Sequence, residues 1–308
     1  MVNRLPVHNE YGYQWMITGP NTFQVCGRTT DILPPGAYTA SLDNCGHPIY
    51  RARELQADEL IHFPDSLPAT VQNEIKQFWA CGDRFARYGF LHRRGYLLYG
   101  KQGCGKSSLV NQIITDVIAD GHVAFYCQYP GHFIECMRKF RDVEPQRPMV
   151  CVFEDIDATI AHYGDSDLLQ WLDGNHQVDK AVNIATTNYP EKLDRRIISR
   201  PRRFDRILRI DAPDARMREA YLGRKVPELT APDLAKWVEL SDGLPFAALA
   251  ELVISVCCMG HKLEEAAKLL RSIDAHNPSS TEFANTPQEN GGNEQYDEYD
   301  DEYEDQSV

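Results

Sequence analysis

Five short apolar runs punctuate the middle of the chain: Tyr96 to Tyr99, Val123 to Cys127, Met149 to Phe153, Val182 to Thr186 and Ile207 to Ile210. Longer segments with helical periodicity separate them, and strands alternating with helices in this way predict a parallel five-stranded sheet covered on both faces. The helix after the first run is the clearest: Leu109, Val110, Ile113, Ile114, Val117 and Ile118 make one stripe, and Gly121 ends it. Upstream, Tyr13 to Thr18, Thr22 to Val25 and Ala37 to Ser41 read as short strands broken by Gly19-Pro20, Pro34-Pro35-Gly36 and Asp43-Asn44. They predict a small β-rich module. After Pro213 the strand signals stop, and helices are expected near Ala215 to Leu222, Pro232 to Leu240, Phe246 to Met259 and Lys262 to Ser272. The expected division is a β-rich module over 1–57, a large α/β domain over 58–211, a small helical domain over 212–276 and a tail over 277–308.

Charge sharpens the last boundary. Nine acidic side chains and no Lys or Arg lie from Glu289 onward, so of the net charge of −13 only −4 is left to the other residues. The acids from Glu294 to Asp305 are interleaved with Tyr296, Tyr299 and Tyr303, a composition that predicts a disordered tail that is solubilising, docks a partner or mimics nucleic acid. A body so near neutrality lacks a strong basic footprint, so nucleic acid is a partner the charge allows but does not indicate. No apolar run approaches the roughly 18 residues that cross a bilayer, and Met1 to Glu10 has no apolar centre of a signal peptide, so a cytoplasmic protein without membrane insertion is expected. The 9 cysteines include no C-x-x-C pair, which argues against zinc and a disulfide framework.

Two motifs carry chemistry. Gly100-Lys101-Gln102-Gly103-Cys104-Gly105-Lys106-Ser107 fits G-x-x-x-x-G-K-[ST] between a strand and a helix. Its glycines let backbone N–H groups converge on a phosphate at the positive end of the helix, and the cradle extends to Ser108. Lys106 is placed to neutralise the β- and γ-phosphates of ATP, and Ser107 to offer its hydroxyl to Mg²⁺. The second motif is the strand Val150 to Phe153 running into Glu154-Asp155-Ile156-Asp157, which sets carboxylates at the strand end facing that loop. Phosphoryl transfer to water needs one group for hydrated Mg²⁺, expected at Glu154, and one for the attacking water, expected at Asp155.

With these motifs in family order, the chain resembles the AAA ATPases of the AAA+ class over roughly Leu60 to Leu270. The resemblance is carried further by Arg93 to Gly100, Leu168 to Gly174, Ala185-Thr186-Thr187-Asn188, and Leu193-Asp194 through Arg200-Pro201-Arg202-Arg203-Phe204-Asp205-Arg206. Within the class it is most similar to the branch of the mitochondrial chaperone that translocates the Rieske protein, which shares the Glu-Asp order. That chaperone's membrane anchor has no matching stretch here. The resemblance implies that Asn188 is the polar sensor of the γ-phosphate, and that Arg200 and Arg203 are arginine fingers reaching a neighbour's nucleotide. It also implies a homo-oligomeric ring, hexamer or heptamer, acting on a protein or nucleoprotein.

Several positions depart from the family pattern. Lys101-Gln102 and Cys104 replace the usual Pro-Pro and Thr, Arg202 replaces a Gly, and Asp242 to Leu249 resembles the second sensor segment without its Arg. Tyr129-Pro130-Gly131-His132-Phe133 stands where unfoldases carry a substrate-gripping loop; a rigid Pro-Gly turn is the other reading. A DNA-associated loader or packaging accessory, and a scaffold that binds ATP but barely turns over, are the alternative functions.

Overall fold

A computed structural model describes residues 14–27, 29–55, 67–173, 176–198 and 202–275. The acidic tail and Arg200 lie outside the described residues. Strands β1 (Gln14–Gly19) and β2 (Thr22–Cys26) form a separate antiparallel hairpin. Then come β3 (Gly36–Leu42), β4 (Pro48–Arg53), α1 (Leu67–Trp79), α2 (Gly82–Arg87), β5 (Arg93–Tyr99), α3 (Lys106–Ala119), β6 (Val123–Tyr126), α4 (Pro130–Val143) and β7 (Met149–Phe153). They are followed by α5 (Ile156–Tyr163), α6 (Ser166–Asp173), β8 (Ala181–Thr187), α7 (Arg195–Ile198) and β9 (Arg206–Arg209). The last part is helical: α8 (Ala215–Lys225), α9 (Ala231–Leu240), α10 (Phe246–Val253), continued by a π-turn over Ile254–Cys258, and α11 (Leu263–Ala275).

The expected five parallel strands are all present, but the sheet has seven, in the order β4-β3-β6-β7-β8-β5-β9. The correction comes from β3 and β4. β3 pairs parallel with β6, setting Ala37 beside Ala124 and Thr39 beside Tyr126, and β4 pairs antiparallel with β3. β3 and β4, upstream of the boundary expected at residue 57, therefore belong to the main sheet, while β1 and β2 do not. Periodicity could not show this, because which edge a strand joins is a long-range choice.

Alternation sorts the central side chains onto two faces. Tyr96, Leu98, Val150, Val152, Val182 and Ile184 pack with the α3 stripe on one side. Leu97, Phe125, Phe153 and Ala185 pack with Phe133 of α4 and Trp171 of α6 on the other. Each α3 side chain fully buried in this way contributes about 1.5–3 kcal/mol. Asn183 of β8 is a buried polar residue on the second face, and its Oδ1 accepts from Trp171 Nε1 at 2.9 Å. Leu222, Trp237, Leu249, Leu252 and Leu270 make the separate core of the helical domain.

Candidate nucleotide site

The loop after β5 is shaped by what surrounds it. At Gly100 an added Cβ would lie 2.1 Å from the carbonyl oxygen of Ile210, just beyond β9, so only glycine lets the two backbones approach. Gly105 has φ +98°, in the left-handed region, and serves as the N-cap of α3, turning the chain so that the helix N-terminus faces the loop. Lys106 follows and is buried. Its Nζ donates to the carbonyls of Gly100 at 2.7 Å and Lys101 at 2.9 Å, folding the side chain across the loop. Burial holds its pKa below the usual lysine value, opposed by Cys104, Asp155 and Asp157.

A cavity of about 890 Å³ opens between this loop and the helical domain. The loop lines it from Gln102 through Ser108, that is Gln102, Gly103, Cys104, Gly105, Lys106, Ser107 and Ser108, while Gly100 and Lys101 contribute their carbonyls to Lys106. Asp155, Thr186 and Asn188 form a polar wall, and Ile210, Met217, Tyr221, Phe246, Val253 and Ile254 supply an apolar one. The helical domain also touches the loop directly, since Ala247 N donates to Gly103 O at 3.3 Å. The other two lining carboxylates are committed: Asp211 pairs with Arg209 at 2.7 Å, and Asp214 caps α8 through Met217 N at 2.8 Å.

The strand-end acids diverge. Asp155 sits at φ 46°, ψ 54°, a left-handed conformation uncommon outside glycine. Its N–H donates to Thr186 Oγ1 at 3.1 Å, and its Oδ1 accepts from Asn188 Nδ2 at 3.3 Å. This turn aims the Asp155 carboxylate into the cavity and draws Asn188 to it. The Oδ1 of Asn188 is buried without a hydrogen-bond partner, an acceptor suited to a water or ligand donor. Asp157 takes a supporting role, accepting from Thr187 Oγ1 at 2.5 Å. Glu154, the expected metal position, does not line the cavity. Its Oε2 lies 3.2 Å from Arg53 Nη2, and the Arg53 guanidinium lies over the Tyr126 ring at 3.9 Å. Ser107 and Asp155 thus line the cavity, while Glu154 is ion-paired with Arg53.

Arg203 also departs from the exposed position a finger needs. It is 4% exposed, its Nε lies 2.8 Å from Asp173 Oδ2, and its guanidinium donates to Arg196 O. Arg202 has φ +75°, which explains why a glycine suits this position in the family the sequence resembles. The predicted loop at Tyr129 is a helix start: Tyr129 caps α4, Pro130 occupies its first turn, and Phe133 is buried against Phe153 and Trp171. Tyr129 itself is exposed, with its ring 5.6 Å from that of Tyr163, also exposed.

Sequence reasoning missed the apolar wall of the cavity, Arg53 and Arg209. The wall residues of α8 and α10 read as ordinary helix positions, and only packing shows which of them turn toward the phosphate loop. Arg53 lies 101 residues from Glu154, and no local pattern links them.

Residues 96–212 match the family described as ATPase family associated with various cellular activities (AAA). The ATP-dependent zinc metalloprotease FtsH 1 of Conexibacter woesei is 30% identical over 233 residues, covering 66% of this chain and 35% of that protein. FtsH 1 of Sorangium cellulosum is 29% identical over 213 residues, covering 61% of this chain and 34% of that protein. The human ATPase family gene 2 protein homolog A is 29% identical over 153 residues, covering 44% of this chain and 17% of that protein. The match thus spans about a third or less of the length of these relatives. Among the described residues no helix is long and apolar enough to cross a membrane.

Proposed function

We propose that this chain, whose residues 96–212 form an AAA family ATPase domain, binds Mg-ATP in the cavity between that domain and the helical lid and hydrolyses it to ADP and phosphate. The observation that carries this reading is the meeting of Lys106, Asp155 and Asn188 on the walls of one cavity roofed by Phe246 and Tyr221. The triphosphate replaces the Gly100 and Lys101 carbonyls as partner of Lys106, a fair exchange for a buried ammonium that must keep charge-assisted bonds. Amides of Gly103, Gly105 and Lys106 face the same anion at the N-terminus of α3. Asp155 orients the attacking water and takes its proton as the water oxygen bonds to the γ-phosphorus and the bond to the β–γ bridging oxygen breaks. Asn188 holds that carboxylate in place through Nδ2 and offers Oδ1 to the water. Mg²⁺ bound with the nucleotide near Ser107 would supply charge neutralisation on the phosphates.

Turnover coupled to a ring is the mechanical part of the proposal. The Glu154-Asp155 order is also the reason to associate this chain with the Rieske-translocating branch. Arg200 is the finger candidate donated to a neighbouring protomer, and Arg203, bound to Asp173, positions the segment that carries it. A hexamer or heptamer meets that need. A polypeptide is the favoured partner, supported by the exposed Tyr129 and Tyr163 pair and by a body charge of only −4, which offers little to a phosphate backbone. Multiple-turnover ATPase assays test this: Asp155→Asn should retain ATP binding and lose on the order of 10²-fold or more in kcat. Stimulation of the wild type by an unfolded protein rather than by single- or double-stranded DNA is expected. Selective stimulation by DNA would replace the partner class, and ATP-dependent assembly without turnover would make the protein a scaffold.

A further inference from the structure

One buried amide on the cavity wall has no part in the chemistry above. Gln112 lies on α3 one helical turn beyond Ser108, on the same face of the helix, and both residues line the cavity. Gln112 is 7% exposed, and among the described residues its side chain has no hydrogen-bond partner. Its neighbours on α3 are engaged elsewhere: Val110 and Ile113 pack against the sheet, and Asn111 Oδ1 accepts from the Tyr126 hydroxyl at 3.3 Å. A polar side chain so enclosed destabilises the free protein, and the cavity is the space from which a partner can reach it. Position along the helix says which part of an occupant that is. Gln112 follows Lys106 by six positions, about 9 Å along the axis at a rise of roughly 1.5 Å per residue, so a nucleotide with its phosphates at Lys106 brings its base to Gln112. The nearby wall of Ile210, Met217, Phe246 and Val253 suits a flat, neutral ring.

We propose that Gln112 is a specificity-determining residue whose amide pairs with the N6–N7 edge of adenine and so selects ATP over GTP. This inference rests on the nucleotide-binding reading above and adds what reads the base. A glutamine amide presents one donor beside one acceptor. The N6–N7 edge of adenine is its complement, an amino donor beside a ring acceptor, whereas the same edge of guanine carries two acceptors, O6 and N7. Guanine in that place satisfies the amide N–H and sets its second acceptor against the amide oxygen, where neither has a donor. Lys106, Asp155 and Asn188 take no part in the choice, because they meet phosphates that ATP and GTP share.

Calorimetric titrations of the full chain in Mg²⁺ with ATP, GTP and 7-deaza-ATP, which keeps the N6 amino group and lacks the N7 acceptor, test this. The wild type should bind ATP roughly tenfold or more tighter than GTP, and about fivefold or more tighter than 7-deaza-ATP. Gln112→Leu should erase the difference between ATP and 7-deaza-ATP and bring the preference over GTP close to unity. A role in packing alone would instead weaken all three nucleotides alike and leave both ratios unchanged, which overturns the proposal. Equal binding of ATP and 7-deaza-ATP by the wild type also overturns it, and that measurement needs no variant to fold. In both cases ATP binding by the wild type leaves the parent reading standing, whereas no nucleotide uptake at all overturns both.

Discussion

Lys106 shows how much of the site chemistry rests on single side chains. It is buried, satisfied only by two loop carbonyls, and held below the ordinary lysine pKa by desolvation. A bound phosphate stabilises the ammonium and pushes that pKa up again. The sign follows: in the alkaline window between the lowered free value and the raised bound value, the free protein carries a neutral Lys106 and the complex a charged one. ATP binding should therefore take up a proton as pH rises into that window, and affinity should fall there. Calorimetry in buffers of different ionisation enthalpy measures the uptake, and its presence in Lys106→Arg, whose guanidinium stays charged, would assign it to another group. The loop residues were legible from sequence because their spacing is local. That Asp155 faces the cavity while Glu154 pairs with Arg53 was not, since it depends on the left-handed turn at Asp155 and on Arg53 arriving from a distant strand.

Among the elements, α6 is tied to the sheet by a buried side-chain hydrogen bond, alongside the bond from Arg93 of β5 to Leu172 O. Asn183 sits in the middle of β8, fully surrounded, and accepts from Trp171 Nε1. Removing the acceptor leaves a buried indole donor unpaired. Asn183→Ala should destabilise the protein by about 1–3 kcal/mol, read as a lower urea midpoint at unchanged slope. Recovery in Asn183→Ala/Trp171→Phe, where the donor is gone as well, separates the lost bond from the lost volume. The hydrophobic pattern located β5 to β9 and the buried stripe of α3, because a two-faced sheet needs near-continuous apolar runs. It also found strand character in Ala37 to Ser41. What it could not supply was the partner: β3 bonds to β6, whose first residue lies 81 positions beyond Leu42, and only that pairing makes the upstream segment part of the sheet.

At the scale of the whole molecule, the cavity belongs to neither domain alone. The α/β domain brings charge and the lid brings Met217, Tyr221 and Phe246, with the Ala247 to Gly103 hydrogen bond joining them. A triphosphate bound there reports to both. Arg203 is held against Asp173, so under the proposed mechanism Arg200 is the finger candidate, serving its own chain or a neighbour. Mixing decides between these. Arg200→Ala and Asp155→Asn should each be nearly inactive, and equimolar mixtures should recover a measurable part of the wild-type rate if the arginine is donated in trans. Mixtures no faster than the sum of their components would place Arg200 in the service of its own site and remove the reason for a ring.

By itself the sequence determined the identity of the phosphate loop, the strand–helix alternation and the acidic strand end, all of which are set by neighbours within a few residues: spacing, periodicity and turn chemistry. Tertiary structure alone decided that the sheet has seven strands, that Arg53 claims Glu154, that Arg203 is buried, and that the lid closes the cavity with apolar side chains. Each of these is a contact between segments far apart in the chain. The free energy that selects such contacts comes from desolvation and charge pairing in the assembled fold, which no single stretch of residues contains.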